Sequence, residues 1–320
     1  MTEGPDMDIR TWHKPLLLLT GLMLASLLFG IGGLAFDDRV LLGEPIWLKP
    51  VKFSVSIAIY AFTLAWLMSL LRKRSRLVWW MGTVISATMV VEMVVIIGQA
   101  TRGTRSHFNN LTDFDSQLYQ IMGMSIVVAW LANLVIGIAV LRQRFAAPAT
   151  LWAIRLGLLI ALGGMAVAFF MTAPTESQLA IETSGGHSPS IGAHTVGVPD
   201  GGPGMPITHW STVGGDLRVP HFIGIHALQA LPLLALLLRR RFSRWDEVVR
   251  TRLVLAAGAG YFGLLVLTTW QALRGQSLIA PDGLTMSVFA LLVLAVAGSA
   301  VAIVRSRPRA AVESPEKVLV

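Results

Sequence analysis

Residues 78–103 read VWWMGTVISATMVVEMVVIIGQATRG, and Glu92 is the one ionisable side chain between Val78 and Ala100. A bilayer core of about 30 Å takes roughly 20 apolar residues of helix, so this run is long enough to cross it. The whole chain argues for that solvent. Of 320 residues, 54% are hydrophobic and 14% charged, whereas soluble domains carry about 25% charged residues. So few charges do not coat a water-facing globule of this length. The formal charge of +8 does not indicate nucleic acid either, because the basic residues sit between apolar runs. With no Cys, disulfides, thiolate metal sites and the c-type haem attachment motif are all excluded.

The same test finds eight spans: Leu16–Phe36, Val51–Leu71, Val78–Ala100, Tyr119–Leu141, Leu151–Thr172, His221–Leu238, Leu253–Trp270 and Leu284–Val304. The expected fold class is an all-α, polytopic helical bundle of eight transmembrane helices. Residues 1–14 carry three acids and no small-residue cleavage site follows span 1, so that span reads as retained rather than as a signal peptide.

Lys and Arg set the orientation. Arg72, Lys73, Arg74 and Arg76 close span 2, Arg142, Arg144 and Arg155 flank the span 4–5 connection, and six Arg fill 239–252. With Arg10, Lys14, Arg305, Arg307, Arg309 and Lys317, one side holds 19 of the 26 basic residues. Both termini are therefore expected in the cytoplasm of a plasma-membrane protein, where the basic face meets the anionic lipids of that leaflet. The other side carries seven cations (Arg39, Lys49, Lys52, Arg102, Arg105, Arg218, Arg274) against ten acids. Cations standing on the acidic side are the ones to test for function.

A short pattern recurs. Gln99-Ala100-Thr101-Arg102-Gly103 ends span 3, Gln271-Ala272-Leu273-Arg274-Gly275 ends span 7, and a Ser follows each (Ser106, Ser277). Lys52-Phe53 opens span 2 and His221-Phe222 opens span 6, at the same offset of four spans. The pairing predicts a parallel 4+4 duplication, with halves at 15–141 and 142–304 between the terminal segments 1–14 and 305–320. Each turn places a Gln amide and an Arg fork at the membrane boundary, with a Gly that ends the helix. Snorkelling and helix capping explain one such turn; two of them, against the positive-inside trend, favour a ligand or lipid-headgroup role.

Intramembrane polar residues complete the candidate site. Glu92 lies in the outer half and needs a proton or a cation, with Lys52, His226, Arg102 and Arg274 as candidate partners. Glu92 and His226 are the candidate acid/base pair. Gln99, Arg102, Arg105, His107, His221, Gln229, Gln271 and Arg274 are the candidate ligand or cofactor contacts. His221 and His226 are five apart on one helix, so a bis-His haem would need one of them together with His107. The acids near Asn109–Gln117 either bind a cation or pair with nearby Arg. Loop Ala173–Pro220, with nine Gly and six Pro, reads as a lid or, more simply, a mobile surface loop. The inner half is dry apart from Asn133, which argues against a channel and less firmly against a transporter.

Three functions are open on these residues. One is an outward-facing site for a small anionic molecule or a haem- or quinone-like cofactor. Another is a secondary transporter with Glu92 as the proton-coupling carboxylate, and the last is a receptor or assembly subunit without chemistry. Eight helices in a 4+4 arrangement with outer-half His are similar in architecture to haem A synthase. That family pairs His on several helices, and spans 2, 4 and 8 here contain none, so the chain is not assigned to it.

Overall fold

The computed structural model describes residues 8–73 and 75–306; Arg74, Arg307, Arg309 and Lys317 of the charge bias lie outside them. Among the described residues, eight helices are long and apolar enough to cross a membrane. They are α1 (Lys14–Phe36), α2 (Leu48–Leu70), α3 (Arg76–Thr101), α4 (Asp113–Arg142), α5 (Pro148–Met171), α7 (Arg218–Arg241), α8 (Glu247–Leu273) and α9 (Gly283–Arg305), with a short α6 (Glu176–Thr183) after α5. Most run past the expected spans because polar residues at the ends still complete backbone hydrogen bonds. Helix α4 begins six residues before Tyr119, since the Thr112 hydroxyl accepts from the Asp115 N–H and sets an N-cap there. Ser75 caps α3 and Asp282 caps α9 in the same manner. Gly103 and Gly275, at φ +77° and +73°, follow the ends of α3 and α8.

Two small antiparallel hairpins mark one end of the bundle. Strands β1 (Val40–Leu41) and β2 (Glu44–Pro45) join α1 to α2, and β3 (Thr195–Val196) pairs with β4 (Gly215–Asp216) between α5 and α7. The arginine-rich connections stand at the opposite end. In the first half α1 packs on α2 and α3, α2 on α3, and α3 on α4; in the second α5 packs on α7 and α8, α7 on α8, and α8 on α9. The halves meet where α4 lies on α5. The larger core cluster crosses between them, joining Leu16, Leu64, Ile85 and Ile136 to Ile154, Leu158, Ala161 and Leu228, and a second cluster contains Ala153, Ala227, Leu231 and Val254.

Helices α5 and α7 approach each other backbone to backbone. A methyl built on Gly164 would lie 2.5 Å from the Gly224 Cα, and one on Gly157 would lie 2.7 Å from the Ala227 carbonyl oxygen. Small residues let helix backbones approach where lipid supplies no hydrophobic drive between helices.

Loop 173–220, read from sequence as a mobile surface segment, is instead folded. Buried carboxylates and amides satisfy its backbone in place of long strands. Asp200 accepts from the His194 and Thr195 N–H groups, Asp216 accepts from the Ser211 N–H at 2.8 Å, and Asn110 Nδ2 donates to the Ser188 carbonyl.

Candidate functional site

A cavity of ≈ 500 Å³ opens at the hairpin end between α2, α7, the turn after α3 and residues 194–211. Four cations (Lys49, Lys52, Arg105, Arg218) and two carboxylates (Glu44, Asp200) line it, with His107, His194, His209 and His226. Most of these charges are matched within the chain. Lys52 Nζ donates to Glu44 Oε2 at 2.8 Å and to the Thr208 carbonyl at 3.3 Å. Arg218 forks onto Asp216, with Nε to Oδ1 at 3.0 Å and Nη2 to Oδ2 at 2.7 Å, and Nη2 also reaches the His209 carbonyl at 2.6 Å. Among the described residues Arg105 Nη2 donates only to the Pro189 carbonyl. Among the described residues Lys49 Nζ has no hydrogen bond and no ion pair; it stands 5.9 Å from the Phe53 ring centroid.

The segment 203–211 forms a roof over this cavity. Lys52 and Arg218 hold its carbonyls from below, and Gly204 pairs with Ser211 across it. Ile207 and His209 sit in it at φ +69° and +53°, a region that β-branched residues in particular rarely occupy. The two sites of positive φ are held by the surrounding contacts rather than by local preference.

A second chamber of ≈ 150 Å³ continues deeper and shares Phe53, Ser56, Phe222 and His226 with the first. Glu92, His221, Gln229, Tyr60 and Asn133 line it. Glu92 is 1% exposed. Its Oε1 lies 3.3 Å from His107 Nε2, while Oε2 has no partner. The partner is thus His107 and none of the four side chains expected from sequence: Lys52, Arg102 and Arg274 pair with other acids, and His226 Nδ1 lies 3.3 Å from Gln229 Oε1.

His107 links the chambers. Its Nδ1 is 3.1 Å from Ser106 Oγ, and both residues line the larger cavity. Burial, reinforced by the Lys49 charge, holds the imidazole pKa well below its ordinary 6.5. A neutral ring with its proton on Nε2 is compatible with both neighbours, the Glu92 carboxyl at Nε2 and the Ser106 hydroxyl at Nδ1. His194 is likewise held below 6.5, chiefly by burial, and its Nδ1 lies 3.0 Å from Asp200.

Neutral histidines in the fold bind fewer protons than the same residues unfolded. Stability therefore rises with pH through the window below 6.5 and falls as the buffer is acidified. Each such His contributes a slope of at most about 1.4 kcal/mol per pH unit. The unfolding midpoint in detergent is expected to drop between pH 7.5 and 5.5, and to drop less in His107→Gln. Equal slopes for both proteins would show that His107 titrates alike in the folded and the unfolded chain.

The two Gln-Ala-x-Arg-Gly turns stand apart from both chambers. Asp115 Oδ1 accepts from Gln99 Nε2 at 2.8 Å and from Arg102 Nη1 at 2.6 Å; the same guanidinium bonds Gln99 Oε1 and lies over the Phe114 ring. Arg274 Nη2 donates to Asp282 Oδ2 at 2.6 Å and stacks 4.4 Å from the Trp270 centroid, while Gln271 Nε2 donates to the Ser277 carbonyl. The Arg274 guanidinium beside Asp282 holds that carboxyl well below its usual range. Each Arg thus ties its helix end to an acid at the start of the following helix.

Of the ten candidate residues, Glu92, Arg105, His107, His221, His226 and Gln229 line the two chambers, and Gln99, Arg102, Gln271 and Arg274 do not. Lys49, Arg218 and His194 belong to the lining and were not singled out. The signal for the two cations was present, since both are among the seven on the acidic side. For iron ligation, His107 has both ring nitrogens engaged, whereas His221 donates or accepts only through Nδ1, at 2.9 Å from the Gly164 carbonyl. Among the described residues no group of three or more His, Asp or Glu is placed to hold a metal ion.

The fold and the apolar helices define an integral, multi-pass membrane helical protein. No protein-family model, no curated protein and no solved structure matches the chain.

Proposed function

We propose that this is a plasma-membrane protein with both termini in the cytoplasm, whose hairpin end faces outward and binds the anionic group of a small molecule or of a haem- or quinone-like cofactor. The observation that carries this reading is Lys49, a half-buried cation with the Phe53 ring beside it but no hydrogen bond or ion pair among the described residues, in a cavity where cations outnumber carboxylates two to one. A cation half withdrawn from water loses part of its hydration, and an anion that replaces that hydration offsets the cost. Arg105, bonded to a single carbonyl, supplies a second donor at the same rim. Below them Glu92 and His107 stand as an acid/base pair with Oε1 3.3 Å from Nε2, and His226 borders both chambers. The free Glu92 Oε2 is the atom that would exchange a proton with a bound molecule.

The repeated set of helix contacts in the two halves supports the duplication, and Phe53 and Phe222, matched by it, border both chambers. The transporter reading is less well supported. Tyr60 and Asn133, joined at 2.5 Å, stand at the foot of the lower chamber, and buried Leu64, Leu67 and Met68 follow on α2.

The absence of Cys makes a direct test available. Thr208 borders the cavity, so Thr208→Cys reports on its interior. A membrane-impermeant anionic methanethiosulfonate is expected to modify it from outside the cell at least tenfold faster than the cationic reagent does, and Lys49→Gln is expected to remove that preference. Modification only from the cytoplasmic side, or a faster cationic reagent, would overturn the reading.

A further inference from the structure

The cavity is polar at one end only. All six of its charged residues lie in the hairpins, in the loops or within the first turn or so of α2 and α7; deeper, its walls are Phe53, Val55, Ser56, Ile59, Ile96, Phe222 and His226. On α2, Val51, Val55 and Ile59 repeat every four residues and form one stripe along the cavity. Val55 and Ile59 are 39% and 43% exposed. Ile59 lies about 16 Å along the helix from Leu48 at 1.5 Å per residue, a depth at which the surroundings of the protein are hydrocarbon.

Helices α2 and α7 do not close this wall. They are absent from the packed helix pairs, and the hydrogen bond between them runs from Gln229 Nε2 to Thr63 Oγ1, at 3.3 Å. The roof, in contrast, is pinned by Lys52 and Arg218. The cavity is therefore covered where water lies and loosely walled where lipid lies.

We infer that the occupant is an anionic amphiphile, with its charged head on Lys49 and Arg105 beneath the roof and its apolar part along Val51, Val55 and Ile59, reached from the bilayer through the α2–α7 cleft. This rests on the anion-binding reading above and names the class of ligand. A water-borne anion needs neither the stripe nor the cleft. An uncharged lipid leaves Lys49 unpaired. Charge complementarity at one end and apolar lining at the other select a molecule with both.

The test uses the full chain in phosphatidylcholine nanodiscs with two phosphate probes. The first is dodecyl phosphate carrying a photoreactive diazirine at the chain terminus; the second is methyl phosphate, which has the head alone. After illumination, adducts are expected to concentrate on residues 51–63 of α2 and 222–233 of α7. They are expected to fall at least fivefold in Lys49→Gln and in Ile59→Trp, which keeps every charge and narrows the cleft. Helix α9, exposed along nearly its whole length, reports labelling from bulk lipid. Adducts spread evenly over α9 and α2 and unchanged in both variants, with methyl phosphate protecting Thr208→Cys from the anionic reagent, would overturn the amphiphile and leave the anion site standing. Even labelling without protection would remove both.

Discussion

Gly224→Leu is expected to lower the unfolding midpoint of the purified protein by more than 10 °C, or to prevent its isolation as a monodisperse species. Gly224 and Gly164 face each other with their backbones in contact, and a methyl on either meets backbone rather than a movable side chain. Overpacking a well-filled core costs about 1–3 kcal/mol when side chains can shift. Here α5 and α7 must separate along their length, so the cost lies at or above the top of that range. Separation also strains the bond from His221 Nδ1 to the Gly164 carbonyl at 2.9 Å and displaces Phe222 and His226 from the chambers. Gly298→Leu on α9 is the control, because nothing lies within 4 Å of a methyl placed there. Its midpoint is expected within about 2 °C of wild type, since a surface substitution of this kind is worth roughly 0.5 kcal/mol. Equal behaviour of the two variants would show that α5 and α7 do not make this contact.

Asp216→Ala is expected to unfasten the roof. Asp216 is 2% exposed, receives the Arg218 fork and accepts from the Ser211 N–H. Its removal leaves Arg218, still largely buried, with Glu44 at 3.7 Å as its nearest carboxylate. Breaking a buried pair from one side costs about 3–5 kcal/mol, and the cost falls on a segment held by few other bonds. The local result is opening of 203–211 rather than unfolding of the helices. Limited proteolysis is expected to cut Asp216→Ala within residues 200–215 at least tenfold faster than wild type, with the unfolding midpoint of the helical bundle little changed. Asp216→Asn, which retains one acceptor oxygen, is expected to fall between them. Wild-type resistance in Asp216→Ala would show that the roof is held by something other than this carboxylate.

Eight spans were legible because each apolar run is longer than a soluble core helix needs. Their ends were not, because Asp113, Asp115 and Ser116 continue α4 once Thr112 caps it, and hydropathy does not register a cap. Glu92, His107, His221 and His226 stood out by residue type within apolar surroundings, and the fold gathers all four around two connected chambers. Arg102 and Arg274 stood out for the same reason but pair with Asp115 and Asp282, acids 13 and 8 residues further along the chain. A charge reads alike from sequence whether its counter-ion belongs to the protein or to a ligand. Lys49 stands out from the other cations of the hairpin end only through the partners that the fold gives them. The roof was illegible because its order comes from side-chain caps at Asp200 and Asp216, which leave no periodic trace.

The central claim is that Lys49 receives an anion in the cavity beneath the roof. An electron cryomicroscopy structure of the protein, purified gently from its own membrane at a resolution that shows side chains, tests it most directly. The account predicts non-protein density within hydrogen-bond distance of Lys49 Nζ and Arg105, continuing along Val55 and Ile59 towards the α2–α7 cleft. It is contradicted by a cavity that holds only water around Lys49, or by an anion seated instead on Arg102 or Arg274 in place of Asp115 or Asp282.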